Sequence, residues 1–75
     1  MHQTIPLSLI PIGCPAKISE VLGSLADVNR LSEMGMRPGV MVEVVQNGSP
    51  CIIRVGETKL CFRESEVLSV LVEIQ

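Results

Sequence analysis

Glycine and proline interrupt this chain at such short, regular intervals that few of its segments are long enough to form a helix. The breakers are Gly13, Gly23, Gly35, the Pro38-Gly39 pair, Gly48, Pro50 and Gly56. The segments between them are rich in β-branched residues, a combination typical of a small barrel or sandwich of short strands. Because 47% of the residues are hydrophobic, such a fold has enough apolar side chain for a compact core. We therefore expect one small domain, residues 1–75.

The charge balance and the scarcity of aromatic residues argue against nucleic-acid binding. Six Lys and Arg stand against eight Asp and Glu, so the net charge is −2 at pH 7, whereas proteins that neutralise phosphates need an excess of cations. Phe62 is the only aromatic residue, and single-stranded nucleic acids are bound by stacking bases on aromatic faces. No nucleic-acid partner is expected.

The hydrophobic runs and the cysteines predict a cytoplasmic location. The longest apolar run, Val67 to Val72, is broken by Ser69 and falls far short of the roughly 20 residues that span a bilayer, so no direct membrane insertion is expected. The N-terminus carries no Lys or Arg, and Pro6 and Pro11 interrupt the segment that follows, unlike a signal peptide. Three cysteines cannot all pair within one chain, which favours free thiols in a reducing compartment.

One segment departs from the strand-like pattern and predicts a short helix over residues 25–34. Ser24 stands three residues before the acidic Asp27, a pattern typical of a helix N-cap. An apolar residue then recurs at every third position, which we interpret as one stripe facing the core. The members of this stripe are Leu25, Val28, Leu31 and Met34. Gly35 follows where a left-handed residue ends many helices.

The rest of the chain predicts turns and short strands. Met36-Arg37-Pro38-Gly39 suits a type II turn with Pro at the second corner and Gly at the third, and Asn47-Gly48 is a second strong turn signal. Residues 63–67 form a short polar link with room for one helical turn. The predicted strands are Ala16–Leu22, Val40–Gln46, Cys51–Val55, Thr58–Phe62 and Leu68–Glu73.

A hairpin around Gly56-Glu57 indicates which residues face the core. A two-residue type II′ turn there sets Val55 opposite Thr58, and side chains then alternate between the two faces of each strand. The predicted core face carries Cys51, Ile53, Val55, Leu60 and Phe62, and the other face carries Ile52, Arg54, Lys59 and Cys61. These elements predict a mainly β fold, a small SH3-like antiparallel barrel of five or six strands with one short helix. Periodicity by itself leaves an OB-like barrel as an alternative.

Potential metal ligands are few and scattered. They are His2, Cys14, Cys51 and Cys61, with isolated carboxylates. A structural zinc site needs four converging ligands, usually in closely spaced pairs, and the hairpin register points Cys51 and Cys61 to opposite faces. We interpret both as small hydrophobic residues, and Cys14, in a turn, as the one reactive thiol. No cofactor and no metal-binding residue is predicted, and a transition metal such as Fe2+ or Zn2+ remains the alternative.

No set of residues suggests catalysis. A nucleophile needs an adjacent base, and the only histidine is His2 at the N-terminus. Glu64 and Glu66 fall in the short polar link, where we expect a solvated face. No glycine-rich loop joins a strand to a helix as a phosphate site would require. The chain is predicted not to be an enzyme.

The end of the helix and the following turn form the predicted partner-binding site. Met is over-represented at adaptable binding surfaces, and Met36 and Met41 flank the Pro-Gly turn between Arg30 and Arg37. The predicted contact residues are therefore Arg30, Met36, Arg37 and Met41. An equally weighted alternative places Met36 beneath the turn, as the hydrophobic contact that accompanies many helix C-termini.

The same region resembles a known family. Arg30-Leu31, then Met34-Gly35-Met36 and Pro38-Gly39 ahead of a valine-rich strand, are similar to the ferrous iron transport protein A (FeoA) family. The resemblance covers about residues 7–72. Upstream, Leu7, Ile10, Gly13, Ala16, Ile18, Val21 and Gly23 match the opening strands of the family, and downstream the matches are Gly48, Pro50, Ile53, Val55, Leu60, Phe62, Arg63, Glu66, Val70 and Val72. Cys51, Cys61 and Val67 depart from the residues common in the family, and we interpret all three as core substitutions.

The resemblance implies an SH3-like cytosolic protein that assists a membrane ferrous iron transporter of FeoB type by binding its GTP-binding cytosolic part. The same fold occurs as the C-terminal domain of iron-dependent repressors, so the alternative is a free-standing transition-metal-binding sensor or regulatory domain. An SH3-like adaptor for proline-rich peptides is disfavoured, because such grooves are lined by aromatic residues.

Overall fold

The computed structural model describes residues 3–75, which form six strands, two α-helices and one 3₁₀ helix. The strands are β1 (Ile5–Pro6), β2 (Pro15–Val21), β3 (Met41–Gln46), β4 (Cys51–Val55), β5 (Thr58–Phe62) and β6 (Val70–Ile74). The helices are the 3₁₀ helix (Leu7–Leu9), α1 (Leu25–Glu33) and α2 (Glu64–Val67). All strand pairs are antiparallel, in the order β1-β6-β2-β3-β4-β5. The predicted mainly β barrel is confirmed, with six strands.

The hairpin between β4 and β5 has the predicted register. Val55 lies opposite Thr58 and Cys51 opposite Phe62, and Gly56 adopts a positive φ of 62° in the turn. Ile53 and Phe62 are buried whereas Arg54 and Lys59 are exposed, so the alternation of faces is also confirmed. The wider core comprises Leu7, Ile10, Ala16, Ile18, Leu31, Met36, Val42, Val44, Cys51, Ile53, Phe62, Val67, Val70 and Val72.

Two irregularities bend the sheet where no sequence signal predicted them. The register between β2 and β6 shifts between Ile18 and Glu20, and the register between β3 and β4 shifts between Val44 and Gln46. Such bulges bend a strand and increase its twist. They allow β2 and β3, at the centre of the sheet, to curve around the buried side chains as a barrel requires.

Helix α1 begins where predicted and ends one residue earlier, at Glu33. The Ser24 hydroxyl accepts a hydrogen bond from the Asp27 N–H at 3.2 Å. At the other end, the Gly35 N–H donates to the Ser32 carbonyl at 3.0 Å and the Met36 N–H donates to the Leu31 carbonyl at 2.9 Å. With Gly35 at a φ of 96°, these two bonds form a Schellman motif.

The predicted apolar stripe of α1 is wrong at its first residue. Leu25 is 76% exposed, whereas Leu31 is buried and Val28 and Met34 are half-buried. An α-helix advances by about 100° per residue, so a three-residue spacing drifts by roughly 60° at each step. Because Leu31 sets the buried side, Leu25 has rotated out of the core. Only the C-terminal half of α1 packs on the barrel.

Several local boundaries differ from the sequence predictions: β2 is shifted by one residue towards the N-terminus, and β3 begins one residue later. The Pro-Gly turn runs from Arg37 to Val40 and is closed by the Val40 N–H donating to the Arg37 carbonyl at 3.1 Å. Pro38 is therefore at the second corner and Gly39, with a φ of 92°, at the third, as predicted. The segment from Leu7 to Leu9, which resembled an opening strand, forms the 3₁₀ helix. The last strand begins at Val70, because α2 occupies the link and Leu68 ends it.

None of the helices in residues 3–75 is long and apolar enough to cross a membrane.

Candidate partner-binding site

Met36 is not part of the surface. Its side chain is 1% exposed and belongs to the core together with Leu31. The Schellman motif explains this placement, since it brings the residue after the left-handed glycine back over the last turn of the helix. The prediction of Met36 as a contact residue is therefore wrong, and its alternative placement beneath the turn is confirmed.

Arg37 is exposed and covers the C-terminal end of α1. Its guanidinium Nε donates a hydrogen bond to the Ser32 carbonyl at 3.1 Å. The carbonyl groups in the last turn of a helix carry partial negative charge, so a cation is stabilising there. This bond fixes the position of the guanidinium group, while the Arg37 residue remains exposed to solvent.

Met41 lies on the outer face of β3 and is 44% exposed. It pairs with Lys17 of β2 across the sheet. The turn just before it is fastened to the same strand: the Gly39 N–H donates to the Ile18 carbonyl at 2.7 Å, and the Ile18 N–H donates to the Val40 carbonyl at 2.9 Å. Arg37, Pro38, Gly39 and Met41 therefore form an exposed surface on hydrogen-bonded backbone, which we call the Pro-Gly surface.

Arg30 belongs to a different part of the molecule. Its guanidinium forms an ion pair with Glu66 of α2, and the other oxygen of that carboxylate, Oε1, accepts the Arg63 N–H at 2.9 Å. The expected solvated face is thus wrong for Glu66, which is half-buried and joins the two helices. A glutamate three residues after the N-cap was the available sequence signal.

A groove separates α1 from α2 beside this ion pair. Its volume is about 190 Å³, and it is lined by Leu22, Asp27, Arg30, Leu31, Ser65, Glu66 and Ser69. The lining combines acidic, basic and apolar side chains, so it does not favour one chemical class of ligand. The structure therefore divides the predicted contact residues between two places, with Arg30 at the groove and Arg37 and Met41 at the Pro-Gly surface.

The three cysteines occupy three different environments. Cys51 is 2% exposed, and burial, with a smaller effect of the nearby Glu64 carboxylate, raises the pKa of its thiol. Cys61 is exposed, so its interpretation as a core substitution is wrong, whereas that of Cys51 is confirmed. Cys14 is half-buried, with its Sγ 3.9 Å from the Pro15 carbonyl oxygen.

The donor atoms of the described residues do not assemble into a metal centre. Within residues 3–75, no three His, Cys, Asp or Glu side chains converge closely enough to hold an ion. His2, the remaining ligand considered from the sequence, lies outside the described residues. The described donors therefore do not fit a resident Fe2+ or Zn2+ within one molecule.

A six-stranded antiparallel barrel with a short helical turn before its last strand defines the protein as a small SH3-like domain. The FeoA protein of Stenotrophomonas maltophilia, solved with zinc and described as a prokaryotic SH3 domain protein, has the same fold. It is 34% identical, with a TM-score of 0.80 over 91% of this chain and 88% of its own.

The sequence model of the FeoA domain matches residues 5–74, so the chain belongs to the FeoA family. An iron uptake regulatory protein (FeoA) is similar over 97% of this chain and 100% of its own, with 25% identity and a TM-score of 0.89. T. acidophilum IdeR shares the fold alone: identity is 12% and the TM-score 0.87 over 96% of this chain and 34% of that one. None of the curated proteins matches the chain in sequence.

Proposed function

We propose that this protein is a cytosolic accessory protein of ferrous iron uptake. It would bind the GTP-binding cytosolic part of a FeoB-type membrane transporter and regulate transport without catalysing a reaction itself. The observation that carries the proposal is the FeoA-domain match over residues 5–74. A second support is the similarity of this chain to a FeoA described as an iron uptake regulatory protein, which extends over the whole length of that FeoA.

The Pro-Gly surface supports a role in binding. Arg and exposed apolar side chains are the residues in which protein interfaces concentrate affinity, and Arg37 and Met41 provide one of each. The backbone beneath them is tied to α1 and to β2 by hydrogen bonds. Docking would therefore cost little additional ordering of this segment.

The direct test measures binding of the purified protein to the isolated GTP-binding cytosolic domain of a FeoB-type transporter. Isothermal titration calorimetry with the domain loaded with GDP, with a non-hydrolysable GTP analogue and without nucleotide should give saturable binding in at least one state. A small GTPase of another family serves as the control and should give no heat. Absence of binding in all three states would contradict the proposal.

A free-standing transition-metal sensor is the second candidate, and the zinc bound in the S. maltophilia relative favours it. Titrating the protein with Zn2+, and anaerobically with Fe2+, separates the two candidates. Stoichiometric micromolar binding that raises the melting temperature would favour the sensor. Transporter binding in the presence of a chelator would favour the accessory protein.

A further inference from the structure

Among residues 3–75, strand β5 lies at the end of the sheet and pairs with β4 alone. In a hairpin closed by a two-residue turn, the residues next to the turn exchange hydrogen bonds, and every second residue thereafter does the same. Thr58, Leu60 and Phe62 therefore direct their backbone groups towards β4. The N–H and C=O groups of Lys59 and Cys61 point the other way, along the outer edge of the strand.

This outer edge is open. Lys59 and Cys61 are both exposed, and in the described part of the chain no backbone hydrogen bond is made from the outer side of either residue. Beside the edge is a shallow concavity of about 380 Å³ lined by Ser49, Pro50, Cys61, Phe62, Arg63 and Glu66. Unpaired strand edges of this kind are templates for adding another strand.

The side chains along the edge carry positive charge. Arg63 keeps an extended backbone, with φ −76° and ψ 148°, so it continues the alternation and shares the outer face with Lys59 and Cys61. On the neighbouring strand, Arg54 lies opposite Lys59 and is 3.7 Å from the Glu43 carboxylate. Lys59 and Arg63 thus flank Cys61, with Glu57 and Glu64 lying beyond them in the turn and in α2.

We propose that the outer edge of β5 is a docking site for an extended, acidic segment of a partner protein, which adds to the sheet as a further strand. Hydrogen bonds to the backbone of Lys59 and Cys61 would hold the segment. Two acidic residues four apart would face Lys59 and Arg63, with a small or apolar residue between them at Cys61. This site is separate from the Pro-Gly surface, and the inference stands whether or not a transporter is the partner.

The same charges disfavour a second copy of this chain as the occupant. Antiparallel pairing of two β5 strands about Cys61 would set Lys59 of one copy opposite Arg63 of the other. Like charges directly opposite each other destabilise a strand pair, and lysine on an edge strand is a common protection against self-association. An acidic segment turns the same residues into attractive partners.

The probe is the synthetic peptide Thr-Glu-Thr-Val-Thr-Glu-Thr with blocked ends, titrated into the ¹⁵N-labelled protein. We expect the amide signals of Lys59 and Cys61 to shift most. Cys61→Pro removes one outward N–H but leaves the bonds to β4, since proline is tolerated on an edge strand whose N–H faces solvent. It should weaken binding by about fivefold, the loss expected for one hydrogen bond, whereas the control Cys61→Ala should bind as the native protein does.

Two further arms keep the test decisive if Cys61→Pro fails to fold. The same peptide N-methylated at its Val and both Glu residues, whose N–H groups face β5 in the proposed register, cannot pair along the edge and should not bind the native protein. Lys59→Glu and Arg63→Glu should each weaken binding of the acidic peptide and strengthen binding of the same peptide with Lys in place of both Glu residues. The control Lys17→Glu on β2 should leave the affinities for both peptides unchanged.

Three results would overturn the inference. The first is that the acidic peptide shows no saturable binding, and the second is that the N-methylated peptide binds as tightly as the unmodified one. The third is that the protein forms a concentration-dependent dimer and that the amide signals which shift on dimerisation belong to β5.

Discussion

The side chains of Arg30 and Glu66 form an ion pair that connects helix α1 to helix α2. The Glu66 carboxylate also caps α2, because its Oε1 accepts the Arg63 N–H at 2.9 Å. Inside the molecule, Leu31 is the only fully buried side chain of α1. The position of α1 on the barrel therefore depends on one fully buried leucine, on the half-buried Met34 that packs against the core and on one ion pair.

We expect Glu66→Ala to lower the free energy of unfolding by about 1–2 kcal/mol, because it removes a helix cap and an ion pair together. Arg30→Ala, which removes only a partly exposed ion pair, should cost less than about 1 kcal/mol. Chemical denaturation of both variants and of the double variant measures the coupling between the two residues. Glu64→Ala is the control, since Glu64 is exposed and makes neither contact. An equal cost for Glu64→Ala and Glu66→Ala would contradict the assignment.

Gly35→Val and Gly39→Val should each destabilise the protein by more than about 1 kcal/mol, because both positions have positive φ, 96° and 92°. The cost is conformational: a Cβ at Gly35 would meet only Val55 Cγ1 at 3.5 Å, and one at Gly39 would meet nothing within 4 Å. Thermal melts measure the effect. Asparagine tolerates this region better than valine, so the Asn variants should melt closer to the native protein. Valine variants that melt with the native protein would show the turn geometry to be wrong.

The cysteines should differ in reactivity. Cys61 is exposed and should be alkylated by iodoacetamide in the folded protein, whereas Cys51 is buried and should react only when the protein unfolds. Mass spectrometry of tryptic fragments after brief labelling, with and without denaturant, measures this difference. Cys51→Ala should lower stability through lost packing, and Cys61→Ala should be nearly neutral. Early labelling of Cys51 in native buffer would contradict its burial.

Stability should fall at alkaline pH partly because of Cys51. Its thiol pKa is raised in the folded state, chiefly by burial, so the native state keeps this proton to higher pH than the unfolded state does. The contribution to stability is therefore complete below the ordinary thiol pKa of about 8.5 and is lost as the pH rises through the folded-state pKa. Between pH 7 and pH ~9.5, the free energy of unfolding should decrease less for Cys51→Val than for the native protein, as measured by chemical denaturation. An equal decrease in both proteins would assign the effect to other groups.

Arg37→Glu and Met41→Asp should weaken binding to the proposed partner, the GTP-binding domain of a FeoB-type transporter, while the protein remains folded, because both side chains are exposed. Arg37→Glu also loses the hydrogen bond to the Ser32 carbonyl and should lower stability slightly, so Arg37→Ala separates the lost bond from the reversed charge. Calorimetry and a thermal melt are needed for each variant. Met36→Asp is the contrasting control and should unfold the protein, since Met36 is buried. Native-strength binding by both folded surface variants would place the contact elsewhere.

The features that the sequence predicted well depend on residues close together in the chain. Ser24 and Asp27 are three residues apart, and Gly35 acts on the turn immediately before it. The Gly56-Glu57 turn sets the register of the two strands beside it. In each case the partners are connected by a few residues of backbone, so their identity is enough to indicate the geometry.

The features that only the tertiary structure decided join distant parts of the chain. Arg30 and Glu66 form an ion pair although strands β3, β4 and β5 separate their two helices in the chain. The bulges in β2 and β3 depend on how each strand pairs with its neighbours. The exposure of Leu25 follows from the side on which α1 packs. Packing of the whole core selects that side, and a repeating pattern within one helix does not specify it. Likewise, alternation predicted the outward direction of Cys61, but its place on an open edge follows from the strand order.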